Sequence, residues 1–215
     1  MKTVYLVRHG ESSSNVGGII LGGPKTSLTD RGRKQASSVA ERISHVQIEI
    51  IVASPYLRTR QTAEEIAKKL QKQVEYSDLF VEWNQGSERI GRKVDDPAII
   101  LQTQMLIERI GESGGRLADE ETFEDLNRRA DRALRYLLDR PEARLAVVGH
   151  GWFSPVLVGK AIMGDDFTGR DCRHFMKAFR MLNTGISVLT YGEPVSAHSW
   201  GEWNLITWND HAHLG

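Results

Sequence analysis

Two arginines and two histidines stand where apolar runs stop. Thr3 to Val7 leads into Arg8-His9-Gly10-Glu11, Ile48 to Ala53 into Ser54-Pro55 and on to Arg58, and Ala143 to Val148 into Gly149-His150-Gly151. Short continuous apolar runs of this kind predict strands buried on both faces of a parallel sheet. Such strands deliver their carboxyl ends to one edge, where ligands of open α/β sheets collect. Taken alone, Arg8-His9 is no more than a polar turn after a strand. Three such ends at one edge gather like charge, which makes electrostatic sense when an anion joins them. Guanidinium groups pair with oxyanions bidentately and keep their charge, and flanking glycines let backbone N–H groups approach a ligand. The set predicts a phosphate pocket built from Arg8, His9, Arg58, His150 and Gly151.

Other uses of these residue types fit less well. No G-x-G-x-x-G and no G-x-x-x-x-G-K-[ST] follows any predicted strand, which argues against a nucleotide-phosphate loop. The strand-end histidines neighbour arginines instead of carboxylates or cysteines, so a cation would be repelled and no metal is expected there. His211 and His213 near the chain end read as surface or packing residues. Lys and Arg together number 28 and so do Asp and Glu, which gives no support to a nucleic-acid or anionic-membrane partner. A single cysteine, Cys172, excludes an internal disulfide and suggests a reducing compartment. Met1-Lys2 runs directly into the first strand and no apolar run approaches a membrane span, so a cytoplasmic protein is expected.

The elements that must hold these residues alternate between strand and helix, which predicts a three-layer α/β/α sandwich on a mainly parallel, roughly six-stranded sheet. A polar Gly/Ser-rich loop, residues 12–23, holds Asn15 and borders the first strand end. A helix follows, capped at Thr29 or Asp30, with Ala36, Val39, Ala40 and Ile43 at helical spacing. Further helices are predicted from Leu57 to Leu70, about Pro97 to Ile110, from Thr122 with Asp125 in the capping-box position, and about Phe153 to Met163. A weak strand covers Val74 to Tyr76. Gly185 to Tyr191 and a stretch within Ala197 to Ile206 predict two late strands with no helix between them, so at least one runs antiparallel. Residues 1–215 read as a single domain. Within it, residues 83–120 are glycine-punctuated and poor in core signal, and are expected to form a cap.

These motifs also carry a family resemblance. Arg8-His9-Gly10-Glu11-Ser12 with Asn15, Leu28-Thr29 through Gly32 to Gln35-Ala36, and Ser54-Pro55-Tyr56-Leu57-Arg58-Thr59-Arg60-Gln61-Thr62-Ala63 resemble the motifs of the histidine phosphatase superfamily, the phosphoglycerate mutase-like proteins. Glu121-Thr122 with Arg129, Gly149-His150-Gly151 and Asn183 complete the likeness in the same order. The resemblance implies that His9 is a nucleophile forming a phosphohistidine. Arg8, Arg58 and His150 would then stabilise charge on the phosphoryl oxygens, with Asn15 donating a further hydrogen bond. It implies no cofactor and no metal, because these cations take that role. It places a general acid/base at Glu82, whose protonated form a neighbouring phosphate would favour. Glu11, next to the nucleophile, reads as an orienting partner.

The chain departs from the mutases in three places. Trp83-Asn84-Gln85-Gly86-Ser87-Glu88-Arg89-Ile90-Gly91 replaces their glycine- and aromatic-rich block, Leu21-Gly22-Gly23 stands where they carry polar substrate contacts, and Trp152-Phe153-Ser154-Pro155 is bulkier than the common Gly-rich version. The departures favour phosphomonoester hydrolysis of a small-molecule substrate. A phosphoglycerate-type mutase and a non-catalytic phospho-ligand binder are the alternatives. Arg89, Arg92, Lys93 and Arg116 are candidates to read a second anionic group, but Glu88, Asp95 and Asp96 lie among them and favour a solvated mixed-charge surface; Trp83 and Trp152 are candidates to wall the pocket.

Overall fold

In the computed structural model, which describes residues 1–20, 23–112, 116, 118–192 and 202–215, six strands form one mixed sheet in the order β3-β2-β4-β1-β5-β6. The strands are β1 (Lys2–Arg8), β2 (Ile50–Ala53), β3 (Val74–Tyr76), β4 (Arg144–Gly149), β5 (Ile186–Tyr191) and β6 (Trp203–Asp210). β1 to β4 run parallel, β5 pairs antiparallel with β1, and β6 antiparallel with β5. The expected antiparallel strand is therefore β5. The first part of the stretch expected to hold the last strand, Ala197 to Gly201, lies outside the described residues, as do Leu21 and Gly22. That strand runs four residues further than expected, to Asp210.

Among the described residues seven α-helices accompany the sheet: α1 (Ser13–Val16), α2 (Asp30–Ile43), α3 (Leu57–Leu70), α4 (Pro97–Ile110), α5 (Phe123–Leu138), α6 (Phe153–Met163) and α7 (Gly169–Ala178). Strand alternation divides the core between two faces. Val7, Ile51, Ala53, Ala146 and Val148 pack against Val39, Ile43, Ala63 and Ile66 of α2 and α3. Val4, Leu6, Val52, Leu145 and Val147 pack on the other face with residues of α5, α6 and α7. This is the expected α/β/α layering. The centre of the second layer is α6, buried from Phe153 through Ala161.

Helix starts follow local chemistry. Thr29 accepts from the Gly32 amide at the head of α2, and Thr122 and Asp125 form the expected capping box on α5. α7 has the same device, Thr168 with Asp171, yet its polar run Arg170 to Lys177 hid it from the periodicity reading. Its apolar stripe is short, with Cys172 and Met176 buried and Phe175 stacked on Phe179 at 4.6 Å. Gly10 and Gly32 permit one close approach that positions the site. A Cβ on Gly10 would lie 2.5 Å from the Gly32 carbonyl oxygen, and a Cβ on Gly32 would lie 1.9 Å from that of Glu11. The first turn of α2 thus presses against the turn that follows β1.

Candidate active site

The ends of β2, β4 and β1 are sheet neighbours, so Ser54, His150 and His9 meet at one edge although they lie far apart in the chain. The His9 amide donates to the Gly149 carbonyl at 3.0 Å and the Ser54 amide to that of Val148 at 3.0 Å. The His9 turn is clamped from three directions. The Gly10 amide donates to Thr62 Oγ1 at 3.1 Å, the Glu11 amide to Gln35 Oε1 at 2.8 Å, and Asn183 Nδ2 to the His9 carbonyl at 3.0 Å. Glu11 accepts from Thr29 Oγ1 at 2.7 Å and pairs with Arg31, an orienting contact that ties the turn to α2.

His9 is almost fully buried. Its Nδ1 lies 2.7 Å from the Gly10 carbonyl, an acceptor, so Nδ1 carries the proton and Nε2 the lone pair. Arg58 Nε donates to that Nε2 at 3.1 Å, and its second amino group meets His150 Nδ1 at 3.1 Å. His150 Nδ1 must therefore accept, which makes Nε2–H the donor to Ser54 Oγ at 2.9 Å. Burial first, then the Arg58 and Arg8 guanidinium groups, hold the His9 pKa well below the usual histidine value. Burial, Arg58 and His9 do the same to His150. Both rings are thus neutral in neutral water.

Arg8 donates to the Met181 carbonyl, while its buried Nε has no hydrogen-bond partner. Gly151 lies flat beneath this guanidinium, since a Cβ there would come within 3.0 Å of Arg8 Nε. A half-buried cation with an orphaned, buried donor beside a second cation, buried Arg58, is costly unless an anion joins them. Glu82 partly offsets both, and its charge opposes the burial that lowers the pKa of each arginine.

Glu82 itself is held by backbone. Oε1 accepts from the Trp83, Trp152 and Phe153 amides at 2.9, 3.2 and 2.9 Å, the last two at the head of α6. Oε2 meets only the shared Trp152 amide, at 3.2 Å. Behind it, Arg129 pairs with both Glu121 oxygens at 2.8 Å, donates to the Val81 carbonyl at 2.7 Å and lies over the Phe153 ring at 3.7 Å. Glu121 returns to the same strand of loop, accepting from the Asn84 amide at 2.9 Å and, through its carbonyl, from Trp83 Nε1 at 3.1 Å. Arg129 and Glu121 therefore fix the segment that carries Glu82.

Every predicted site residue lies at or beside one cavity of about 560 Å³, with His150 enclosed directly behind Arg58. Asn15 borders it with Oδ1 taken by Ser12 and Asn183, which leaves its NH₂ end for a ligand. Trp83 and Trp152 meet edge to face at 6.0 Å and both line the cavity. Sequence reading missed the wall contributed by Met176, Phe179 and Met181, since it did not predict α7. Its solvated-surface reading of the basic residues between 89 and 116 holds only in part. Arg92 pairs with Asp96 and Arg116 with Asp125 at the surface as expected, but Arg89 is buried and lines the cavity. His213 packs inward against Thr184 Oγ1 at 3.1 Å, and His211 meets the Asn209 carbonyl.

A model of the histidine phosphatase superfamily, branch 1, matches residues 4–211. The chain belongs to the histidine phosphatase superfamily. A relative from Shigella boydii, named "Probable phosphoglycerate mutase GpmB", is 30% identical over 217 residues, covering 100% of this chain and 95% of its own. Another of that name, from Erwinia tasmaniensis, is 34% identical over 159 residues, 74% of each chain. Among solved structures, a phosphoserine phosphatase from Entamoeba histolytica superposes with a TM-score of 0.76 at 24% identity, covering 100% of both chains. A mycobacterial glucosyl-3-phosphoglycerate phosphatase superposes with 0.75 at 21%, covering 97% of this chain and 99% of its own. At these identities the structural likeness carries the fold. No helix among the described residues is long and apolar enough to cross a membrane.

Proposed function

We propose that this histidine phosphatase hydrolyses phosphomonoesters of small molecules through a phosphohistidine on His9. The observation that carries the reading is the His9 Nε2 lone pair, met by buried Arg58 in a cavity that Arg8 and the amide-held carboxyl of Glu82 also line. A phosphoryl group entering the site draws the Arg58 N–H away from His9 Nε2 onto its own oxygens, which frees the lone pair it is about to meet. Nε2 attacks phosphorus, the P–O bond to the leaving group breaks, and the leaving oxygen takes a proton from Glu82. Oε2 is the oxygen suited to hold that proton, because Oε1 is already saturated by amides. Water then attacks the phosphohistidine, giving its proton to Glu82, and the P–N bond breaks to restore His9. Arg8, Arg58 and Asn15 stabilise the equatorial charge throughout, with His150 bracing the Arg58 guanidinium from behind, so the chemistry asks for no metal. Residues 83–120 act as the cap.

Phosphoglycerate mutation is the second reading, favoured by the names of the relatives at 30% and 34% identity. A mutase must hold a small bisphosphorylated intermediate while it turns over. A cavity of about 560 Å³ walled by two tryptophans and by Met176, Phe179 and Met181 suits a larger, partly apolar leaving group better. Incubation with 3-phosphoglycerate, with and without a bisphosphoglycerate primer, decides between them. Phosphate release without isomer formation supports hydrolysis, and primer-dependent isomer formation without phosphate release overturns it.

A further inference from the structure

Arg89 has no role in the chemistry above. It ends a short 3₁₀ turn, Ser87–Arg89, and only 4% of it is exposed, although Glu88, Arg92, Lys93, Asp95 and Asp96 lie close to it in sequence. Its two amino groups donate to Gln85 Oε1 and to Thr103 Oγ1 of α4. Its Nε is buried with no partner, and no carboxylate among the described residues forms an ion pair with it. Glu88, whose charge acts on Arg89 without an ion-pair contact, is exposed and is engaged by Gln102. Arg89, Gln85 and Thr103 all line the cavity that holds His9, and Ile90, Val94 and Ile99 surround them with apolar wall.

A guanidinium taken out of water is costly to leave unpaired. Two neutral acceptors compensate a small part of that cost and leave most of its five N–H groups without a charged partner. The site chemistry already consumes one anion, the phosphoryl group at Arg8 and Arg58. We infer that Arg89, oriented by Gln85 and Thr103, is a second oxyanion subsite that recognises an acidic group, carboxylate or phosphate, on the leaving group of the substrate. The inference rests on the proposed phosphomonoester chemistry for its first anion. The substrate class it names is a phosphomonoester whose leaving group has an apolar or aromatic body and carries an acid.

Matched esters test this. 4-Carboxyphenyl phosphate is compared with 4-carbamoylphenyl phosphate, and 3-phosphoglycerate with glycerol 3-phosphate; 4-phosphonophenyl phosphate separates a phosphate from a carboxylate as the second anion. The carbamoyl ester has the better leaving group, so a preference for the acid cannot come from intrinsic reactivity. The wild-type protein is expected to favour the acid member of at least one pair by roughly tenfold to a hundredfold in kcat/KM, the range of a charge-assisted hydrogen bond. Arg89→Gln should collapse that ratio toward one, and Arg89→Lys should restore part of it. Exposed Arg180, which also lines the cavity, is the control for general attraction, and Arg180→Gln should lower the ratio less. Equal use of acid and neutral members by the wild-type protein overturns the inference, as does equal loss on both members in a folded Arg89→Gln, the mark of a structural strut. Thr103→Val, which frees the guanidinium without removing it, gives the same readout if Arg89→Gln does not fold. Calorimetric binding of the same pairs to His9→Ala reads the subsite without turnover. Absence of hydrolysis by the wild-type protein therefore sinks the proposed function alone, and loss of acid preference sinks this subsite alone.

Discussion

At the strand ends, His9, Arg58 and His150 are held by backbone carbonyls, by one another and by glycine-permitted contacts between backbones. On the wall formed by residues 85–103, Arg89 is held only by the side chains of Gln85 and Thr103, one on an irregular segment and one on α4. Positions fixed by backbone tolerate little change, because shifting one side chain moves a strand. Positions fixed by side chains on a surface segment can be exchanged with a few substitutions. The difference separates a constant reaction from a variable leaving group. Substitutions at the strand ends should therefore remove turnover on every ester, whereas those on the other wall should redistribute it among esters.

The largest effect expected is at the nucleophile. His9→Ala should lower kcat by roughly 10⁴-fold or more on every ester, the scale seen when a covalent catalytic group is removed. Acid-labile, alkali-stable labelling of the protein by a phosphomonoester should vanish with it. Hydrolysis by His9→Ala at the wild-type rate would remove the phosphohistidine and with it the distinction between the two walls. Glu82→Gln keeps the shape and the amide contacts of the carboxyl but cannot deliver its proton. Alkyl phosphates should lose roughly 10²- to 10⁴-fold in kcat/KM and p-nitrophenyl phosphate far less, since its phenolate leaves unaided. Equal losses on both esters would take Glu82 out of the acid role.

The strand-end wall was legible in the sequence for a physical reason. In a parallel sheet the residue after each buried strand has one place to go, so Arg8-His9, Ser54 and Gly149-His150 could be brought to one edge from periodicity alone. Arg89 stood out only as one of four candidate basic residues, and its burial was not legible. Its neighbours Glu88, Asp95 and Asp96 suggested a solvated surface, and nothing local reveals that Gln85 and Thr103, 14 residues apart from Arg89 in the second case, close around it. The wall from α7 was missed because a short apolar stripe among Arg170, Asp171, Arg173 and Lys177 gives weak periodicity, although Thr168 with Asp171 was an available capping signal. The buttress of Glu121 and Arg129 was seen only as part of a family pattern. Its purpose, holding the Val81–Asn84 segment, depends on carbonyls that carry no sequence signal.

Two arginines sharpen the contrast in stability. Arg129→Ala removes one half of a bidentate pair and strands Glu121 and the Val81 carbonyl, and should cost about 2–3 kcal/mol in urea unfolding while lowering activity through Glu82. Arg58→Ala removes a buried cation that lies among Arg8 and two neutral histidines, so it should abolish turnover with little loss of stability, or a small gain. Strong unfolding in Arg58→Ala would mean that the site arginines hold the fold as well as the ligand.

The smallest effect distinguishes the walls by proton. His9 and His150 are buried and held neutral, with pKa values well below the usual 6.5, whereas residues 83–120 contain no histidine. A histidine whose folded pKa is depressed binds its proton more readily in the unfolded chain, so stability falls as pH drops below about 6.5. Each ring should remove about 1.4 kcal/mol between pH 7.5 and pH 5.5, provided its folded pKa lies below the lower value. In phosphate-free buffer, His9→Asn should therefore lose about 1.4 kcal/mol less than the wild-type protein over that interval, and Arg89→Gln should follow the wild-type slope. An unchanged slope in His9→Asn would mean that His9 takes a proton in the folded protein within this range. Its Nε2 would then be protonated at the acid end, where the lone pair facing Arg58 is required for attack.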